Sequence, residues 1–414
     1  MSLLNSHAST WAEVDLNAIR HNFQEIKRLA GPHTEILCVV KGDAYGHGML
    51  EVSALLDRLG ANFFGVSDLE EGIVLRKNGI TKPILLFEST LPAHARQIVD
   101  YNLTPTICTI ELAYSLNRYA KTRGRRIDIH IDVDTGMGRL GVWHEEAFEF
   151  IQKVNRLANL SIKGIYTHFP VADTDPRFTK NQMKHLYALV SRLDKMGVVV
   201  PYIHAANSMG LVNYTDLHPN SYSQVKVSTD YNNIFGEVSK THLLNLVRPG
   251  LMLYGLYPSP RLKKKIRLKP ALSVQSKIVF LKNVRRGRGI SYGHTFIAPK
   301  DLTVATLAIG YKDGYLRCLS NRAFVLIGGQ RCPIVGRVTM DQIMVDVSKL
   351  KSLKVGTTAV ILGKQKGNFI SADELAKYAG TISYEIVCSL GNHLPRIYKT
   401  KPSIIDLRTT NGTE

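Results

Sequence analysis

Along the first 255 residues, short apolar and β-branched runs alternate with longer stretches of helical period. Eight such runs stand out: Ile36–Val40, Phe63–Val66, Pro83–Phe87, Leu103–Cys108, Ile127–Val133, Ile162–Phe169, Tyr202–Ser208 and Leu246–Tyr254. Between most of them lie amphipathic segments, among them Leu16–Leu29, Leu50–Leu59, Asp68–Lys77, Glu145–Leu157 and Lys180–Met196. Near-continuous apolar strands separated by helices mean βαβ units and a parallel sheet, because a strand covered on both faces shows no polar side. Eight repeats in about 250 residues match a closed (β/α)8 TIM-type barrel. An open doubly wound sheet is the alternative, but it wants a Gly-rich turn after its first strand.

After Tyr254 the texture changes. A basic run, Arg261-Leu262-Lys263-Lys264-Lys265-Ile266-Arg267-Leu268-Lys269, reads as a solvated linker, with nucleic-acid or lipid contact as the minor alternative. Beyond it, short alternating segments with Gly-containing turns (Ser276–Val284, Thr303–Ile309, Ala323–Ile327, Gln342–Val347, Thr358–Leu362) predict a mostly β domain. The expected organisation is an α/β chain: a barrel over 12–255, then a mostly β C-terminal domain over 256–414 that residues 1–11 are free to join. No internal repeat or low-complexity tract is visible.

Composition narrows the function classes. With 414 residues, 44% hydrophobic and 21% charged, the chain is globular rather than disordered. Lys and Arg total 53 against 34 Asp and Glu, a formal charge of +19. That surplus raises nucleic acid as a partner, but the basic residues are scattered and carry no DNA- or RNA-binding motif; anionic small molecules fit as well. The 5 cysteines are widely spaced without a CxxC pair, which disfavours a disulfide scaffold or a metal site and suits a reducing compartment. The start, Met1-Ser2-Leu3-Leu4-Asn5-Ser6-His7, lacks a basic n-region and an apolar run, and no stretch approaches the ~20 apolar residues of a membrane helix. A cytoplasmic protein with no membrane or nucleic-acid partner is expected.

Barrel enzymes carry their sites at the C-terminal ends of the strands. The first run ends in Lys41, within Val40-Lys41-Gly42-Asp43-Ala44-Tyr45-Gly46-His47-Gly48, and the fifth in Asp132 and Asp134, followed by Gly136-Met137-Gly138-Arg139. The sixth carries Thr167-His168, the seventh ends in Asn207-Ser208, and the eighth holds Arg248-Pro249-Gly250. Each has a bland reading: His168 as a core histidine, Arg139 as the ion-pair partner of Asp132 or Asp134, Ser208 as a helix N-cap. Lys41 is the exception, because three glycines within seven residues demand special backbone geometry or close ligand approach. Together these residues describe a pyridoxal 5'-phosphate site. A lysine forms the Schiff base, amides and a hydroxyl cradle the phosphate, and a partner meets the ring nitrogen. Barrel phosphate sites favour the loops after strands seven and eight, where Ser208 and Gly250-Leu251 fall.

The same segments resemble the alanine racemase family. Further motifs carry the resemblance across nearly the whole chain: His204-Ala205-Ala206-Asn207-Ser208, Ser291-Tyr292-Gly293, Ile309-Gly310-Tyr311-Lys312-Asp313, Gly336-Arg337-Val338-Thr339-Met340-Asp341 and Ser383-Tyr384-Glu385. It implies a homodimer with shared sites that interconverts L- and D-alanine for peptidoglycan. Lys41 and Tyr292 would be the two catalytic bases, Tyr292 coming from the other subunit. Lys41, Tyr45, His168, Asn207, Ser208, Arg248, Gly250, Leu251 and Tyr384 would hold the cofactor, with Arg248 at the pyridine nitrogen and His168 linking it to Tyr292. Arg139 and Met340 would bind the substrate carboxylate, with Tyr311 and Asp341 at the entrance. A broad-specificity racemase for serine or basic amino acids is the alternative.

Physical chemistry makes sense of that set. Racemisation takes a proton from one face of the α carbon and returns one to the other, so bases on opposite faces are needed. A phenol, with a free pKa near ~10, is a weak base and wants cationic neighbours. Arginine cannot accept a proton, so a ring nitrogen facing it stays unprotonated and draws electrons less strongly, restraining transamination. Three positions depart from the family pattern. Asp132 stands where many members carry a lysine, often carbamylated, that orients the arginine seven residues on. Around Tyr214–Phe235 an extra segment separates Ser208 from Arg248. Thr339 replaces a common cysteine.

Overall fold

A computed structural model describes residues 8–213 and 244–400; the extra segment around Tyr214–Phe235 lies outside them. The chain divides into two compact units, one of Arg20–Ala44 and Met49–Leu268, the other of Met1–Ile19, Tyr45–Gly48 and Lys269–Glu414. Its first strand, β1 (Thr10–Asp15), belongs to the second unit.

The first unit is the barrel. Its strands are β2 (Glu35–Val39), β3 (Phe63–Val66), β4 (Ile84–Ser89), β5 (Thr104–Ile107), β6 (Ile127–Asp134), β7 (Val142–Trp143), β8 (Leu160–Tyr166), β9 (Tyr202–His204) and β10 (Leu246–Val247). All eight expected runs overlap one of these strands. They pair in parallel in the order β10-β2-β3-β4-β5-β6-β8-β9, with the short β7 added beside β6. At the seam between β9 and β10, the amide of Arg248 donates to the Ala206 carbonyl (2.9 Å) and that of Asn245 to Ile203 (3.2 Å). The Asn245 side chain accepts from the Ile203 amide (3.0 Å), so the sheet all but closes.

The helices that cover the strands start where their sequences provide caps. Asp68, Thr109 and Asp175 each accept a backbone N–H three residues on, opening the helices Leu69–Lys77, Ile110–Thr122 and Pro176–Lys195. In the second of these, Leu112, Ala113, Leu116 and Ala120 form the buried stripe. A buried leucine contributes roughly 1.5–3 kcal/mol, so such stripes outweigh local propensity in fixing each helix on the sheet.

The basic run is not a free linker. Pro260–Lys264 forms a 3-10 turn, and Leu262, Ile266 and Leu268, spaced between the lysines and arginines, are all buried within the barrel unit. The apolar residues anchor the segment while the charges stay wet.

The second unit is built on β11 (Leu272–Val284). Then come β12 (Gly289–Ile290), β13 (Phe296–Ile297), β14 (Leu302–Leu307), β15 (Phe324–Ile327), β16 (Gln330–Pro333), β17 (Ile343–Asp346), β18 (Thr358–Gln365), β19 (Asn368–Ile370) and β20 (Arg396–Lys399). The main path runs β16-β15-β18-β11-β1-β20. A bulge between Ile278 and Phe280 bends β11, so that its first half pairs with β1 and β18 and its second half with β14. Strand β1 is interior to this sheet, antiparallel to β11 (Thr10 opposite Ser276) and parallel to β20 (Ala12 opposite Arg396). The five strands expected from the pattern are present, and two helices it did not foresee, Ala372–Ala379 and Ser383–His393, complete the unit.

Candidate active site

Strand β2 delivers Lys41 to the C-terminal end of the barrel. Immediately after it the backbone turns left-handed over Gly42 (φ 62°), Asp43 (51°), Ala44 (55°), Tyr45 (53°) and Gly46 (80°). Glycine enters this region freely, but each L-residue there costs roughly 1–2 kcal/mol, so three in succession need an external hold. Glu71 provides it: its carboxylate accepts the amides of Asp43 (3.1 Å) and Ser67 (2.8 Å). The Asp43 carboxylate in turn accepts the Met49 amide (2.6 Å). The ammonium of Lys41 lies 5.7 Å from the centre of the Phe87 ring.

Arg248, buried at the end of β10, is the centre of a polar cluster. Its Nη2 donates to the carbonyls of Thr167 (2.8 Å) and Ala205 (3.2 Å) and lies 3.5 Å from His168 Nδ1. Its Nη1 donates to His204 Nδ1 at 2.5 Å, and the guanidinium lies 5.0 Å from the Tyr166 ring centre. Burial lowers Arg248 to about 10, which leaves it cationic at neutral pH. Burial, then the charges of Arg248, Arg139 and Lys41, push His168 down to about 3. Three cations from three different strands therefore bear on one neutral imidazole. A second ladder steadies this corner: Thr135 and Thr167 share a hydroxyl contact (2.7 Å), and the Gln182 amide donates to Thr135 and to the His168 carbonyl (both 3.1 Å).

The aspartates divide their work. Both oxygens of Asp134 are taken by the amides of Gly136, Met137 and Gly138 (2.8 Å each), which shapes the loop leading to Arg139. Asp132 is buried, and burial drives its carboxyl up to about 7 against the opposing pull of Arg248 and Arg139. Among the described residues Arg139 forms no ion pair with either aspartate; it is exposed and acts on Asp132 only through its field. The expected N-cap at Ser208 sits one residue earlier. Asn207 accepts the amides of Met209 (3.1 Å) and Gly210 (3.0 Å), opening the helix Ser208–Asn213. Asn207 is thereby committed to backbone, and the Ser208 hydroxyl instead meets the Gly250 amide at 3.2 Å. Leu251 follows at the start of a 3-10 turn.

Six further candidates stand in the second unit. The rings of Tyr45 and Tyr384 lie 6.0 Å apart. Burial raises the Tyr45 phenol further above its usual range. Tyr311 and Met340–Asp341 occupy adjacent loops: the amides of Tyr311 and Lys312 donate to the carbonyls of Thr339 (3.0 Å) and Met340 (2.9 Å). Gly310 is required there, since a Cβ would fall 2.3 Å from the Met340 oxygen. Tyr292 rides a short loop pinned by Ser291, whose hydroxyl donates to the Arg337 carbonyl (2.7 Å). Its side chain is 72% exposed, open to another molecule.

The sequence reading missed Tyr166 and the role of His204, which neighbour Arg248, and His130, which meets His204 (Nδ1 to Nε2, 2.9 Å). The signal was present in β6, whose Asp128, His130, Asp132 and Asp134 alternate with Ile and Val. Asp128 is exposed at the start of the strand, but His130, Asp132 and Asp134 are buried, as the inward-facing positions of a barrel strand are.

The chemistry of the donor set fits a phosphorylated pyridine aldehyde. Arg248 keeps the hydrogens of Nε and one of Nη1 without a partner among the described residues, suited to a ring-nitrogen acceptor. Ser208 and the Gly250 amide stand side by side for a phosphate, and Lys41 offers an amine.

The families and solved relatives that the chain matches make it an amino-acid racemase, an isomerase. Residues 14–227 match the alanine racemase N-terminal domain and residues 271–398 the alanine racemase C-terminal domain. The alanine racemase of Halothermothrix orenii is 41% identical over 393 residues, covering 95% of this chain and 97% of its own. The solved alanine racemase of Clostridium difficile 630 superposes with a TM-score of 0.84 at 34% identity, covering 95% of this chain and 96% of that one. A histidine racemase from Leuconostoc mesenteroides subsp. sake shares the fold at a TM-score of 0.81 and 28% identity, covering 95% and 99%. The chain belongs to the alanine racemase family.

Proposed function

We propose that this protein is a pyridoxal 5'-phosphate-dependent alanine racemase that interconverts L- and D-alanine in the cytoplasm and supplies D-alanine for peptidoglycan. The observation that carries this reading is Arg248, a buried cation held by neutral acceptors with donor hydrogens to spare. Bound at the barrel mouth, the cofactor would acidify the α proton of the amino acid. Lys41 would hold its aldehyde carbon, Arg248 its ring nitrogen, and Ser208, Gly250 and Leu251, with Tyr45 and Tyr384, its phosphate. Arg139 and the Met340 amide would take the substrate carboxylate, with Tyr311 and Asp341 at the entrance. The Lys41 amine would move a proton on one face of the α carbon, and the Tyr292 phenol of a second subunit on the other. His168 would join Arg248 to that phenol, completing a site shared across a homodimer.

Reduction with borohydride and peptide mapping test the first step: a pyridoxyl adduct on Lys41 is expected, and its absence after incubation with the vitamer refutes the reading. Because the L/D equilibrium constant is one, Tyr292→Phe must lower kcat/KM equally in both directions. The variant should still exchange the α proton of D-alanine with solvent through Lys41. Survival of L-alanine exchange with loss of the D-alanine reaction would reverse the assignment of faces. A broad-range racemase is the second reading, and the histidine racemase sharing this fold favours assaying L-serine, L-lysine and L-histidine beside L-alanine.

A further inference from the structure

Beyond the reading above, and resting on its placement of Arg248 at the cofactor ring, we infer that His130 is a positioning residue for the reaction, acting on Arg248 through His204. His130 Nδ1 lies 2.9 Å from His204 Nε2, and His204 Nδ1 lies 2.5 Å from Arg248 Nη1, all three side chains buried inside the barrel. These contacts allow one arrangement of protons. A guanidinium only donates, so His204 Nδ1 is an acceptor; its remaining proton is on Nε2 and is given to His130 Nδ1; the His130 proton is therefore on Nε2. That last N–H has no partner among the described residues.

The cost of leaving it unpaired says what the imidazole is for. Phe63 and Tyr202 pack beside His130, with ring centres 6.4 and 6.3 Å away, so a phenyl ring would fill the same space without burying an orphan donor. What only the imidazole offers is the acceptor at Nδ1. Gly164 of β8 makes room for it: a Cβ there would fall 2.4 Å from that very nitrogen. Both rings are held neutral, His130 pushed down to about 3 by burial and by the charge of Arg248, so the chain keeps its polarity across the working pH range. Arg248 makes His204 Nδ1 the acceptor, and His130 Nδ1 receives the proton that this tautomer places on His204 Nε2, so the acceptor at His130 keeps that buried N–H satisfied and favours the form that seats the guanidinium.

Two measurements test this. In histidine-labelled wild-type protein, without added cofactor, long-range 15N–1H spectra should show His130 and His204 both as Nε2–H tautomers, unchanged from about pH 6 to about pH 9. Either ring in the Nδ1–H form, or titrating in that range, overturns the proposal whatever the protein binds. In the holoenzyme, His130→Phe keeps the bulk and removes the acceptor, while His130→Asn restores an acceptor near the Nδ1 position. We expect His130→Phe to lower kcat roughly tenfold with KM for alanine changed less than about twofold, and to weaken pyridoxal phosphate retention on dialysis; one lost buried hydrogen bond is of that size. His130→Asn should recover most of both. A His130→Phe holoenzyme with wild-type kcat and retention, or a His130→Asn protein as impaired as His130→Phe, refutes the role of the acceptor. Wild-type protein that retains no cofactor and racemises nothing refutes the reading of the site instead, and the tautomer spectra still decide the proton chain.

Discussion

Asp132→Asn isolates the electrostatic cost of a carboxyl buried within the fields of Arg139 and Arg248. Its folded pKa, about 7, stands above the ordinary 3.8, and burial is the larger cause. Between those two values the folded protein holds a proton that the unfolded chain has released, so stability falls as pH rises through that window and levels off above about pH 7. At about 1.4 kcal/mol per unit, the full difference of roughly three units costs wild type about 4 kcal/mol at alkaline pH. About 1.5 kcal/mol of that is already lost by pH 5, which leaves about 2.5 kcal/mol to be lost between about pH 5 and about pH 8. Asparagine keeps the shape and cannot ionise. Paired urea unfolding curves of the two proteins, at equal cofactor loading, should therefore show the variant gaining about 2.5 kcal/mol on wild type from the lower pH to the higher. A gap between the two proteins that stays constant with pH would refute the argument, because every other titrating group is common to both.

Two further perturbations probe the scaffold. Glu71→Ala strips the acceptor from the Asp43 and Ser67 amides at the left-handed turn. A loss of about 1–3 kcal/mol in the unfolding transition and a fall in alanine turnover are expected, with partial recovery in Glu71→Gln; an unaltered transition denies the carboxylate its role. Gly164→Ala drives a methyl into the His130 ring, and overpacking of this kind costs about 1–3 kcal/mol. Urea midpoints measure it, and a midpoint equal to wild type would mean that the ring has room to spare.

The barrel was readable because its strands are sheathed by helices. Burial on both faces makes runs such as Phe63–Val66 and Ile36–Val40 uniformly apolar, and caps such as Asp68 and Thr109 mark where helices begin. Lys41 and Arg248 were visible for the same reason, as reactive types stranded at the ends of apolar runs. What surrounds them was not. His204 and His130 meet across the barrel from positions 74 apart in sequence, and nothing local to either segment encodes that encounter. Ile127–Val133 reads as an apolar run only if its alternating His and Asp are passed over. The basic run misled because charge dominates its composition, whereas Leu262 and Ile266 decide where it lies. In the second unit, β12 and β13 are too short to leave a periodic signal, and the places of β1 and β20 depend on partners far along the chain.

The position of β1 bears on how the molecule comes off the ribosome. Strand β1 is an interior member of a sheet whose neighbour β20 is made about 380 residues after it. Neither ladder of β1 can form until β11 has been translated, and the second waits for about 380 residues of intervening chain. At about 5–20 residues per second, Thr10–Asp15 keeps at least one edge unpaired for roughly 20–80 s of synthesis. Nascent protein must keep that strand from wrong neighbours throughout, and cutting the gene at the boundary between barrel and sheet would leave a β fragment missing the strand that joins β11 to β20.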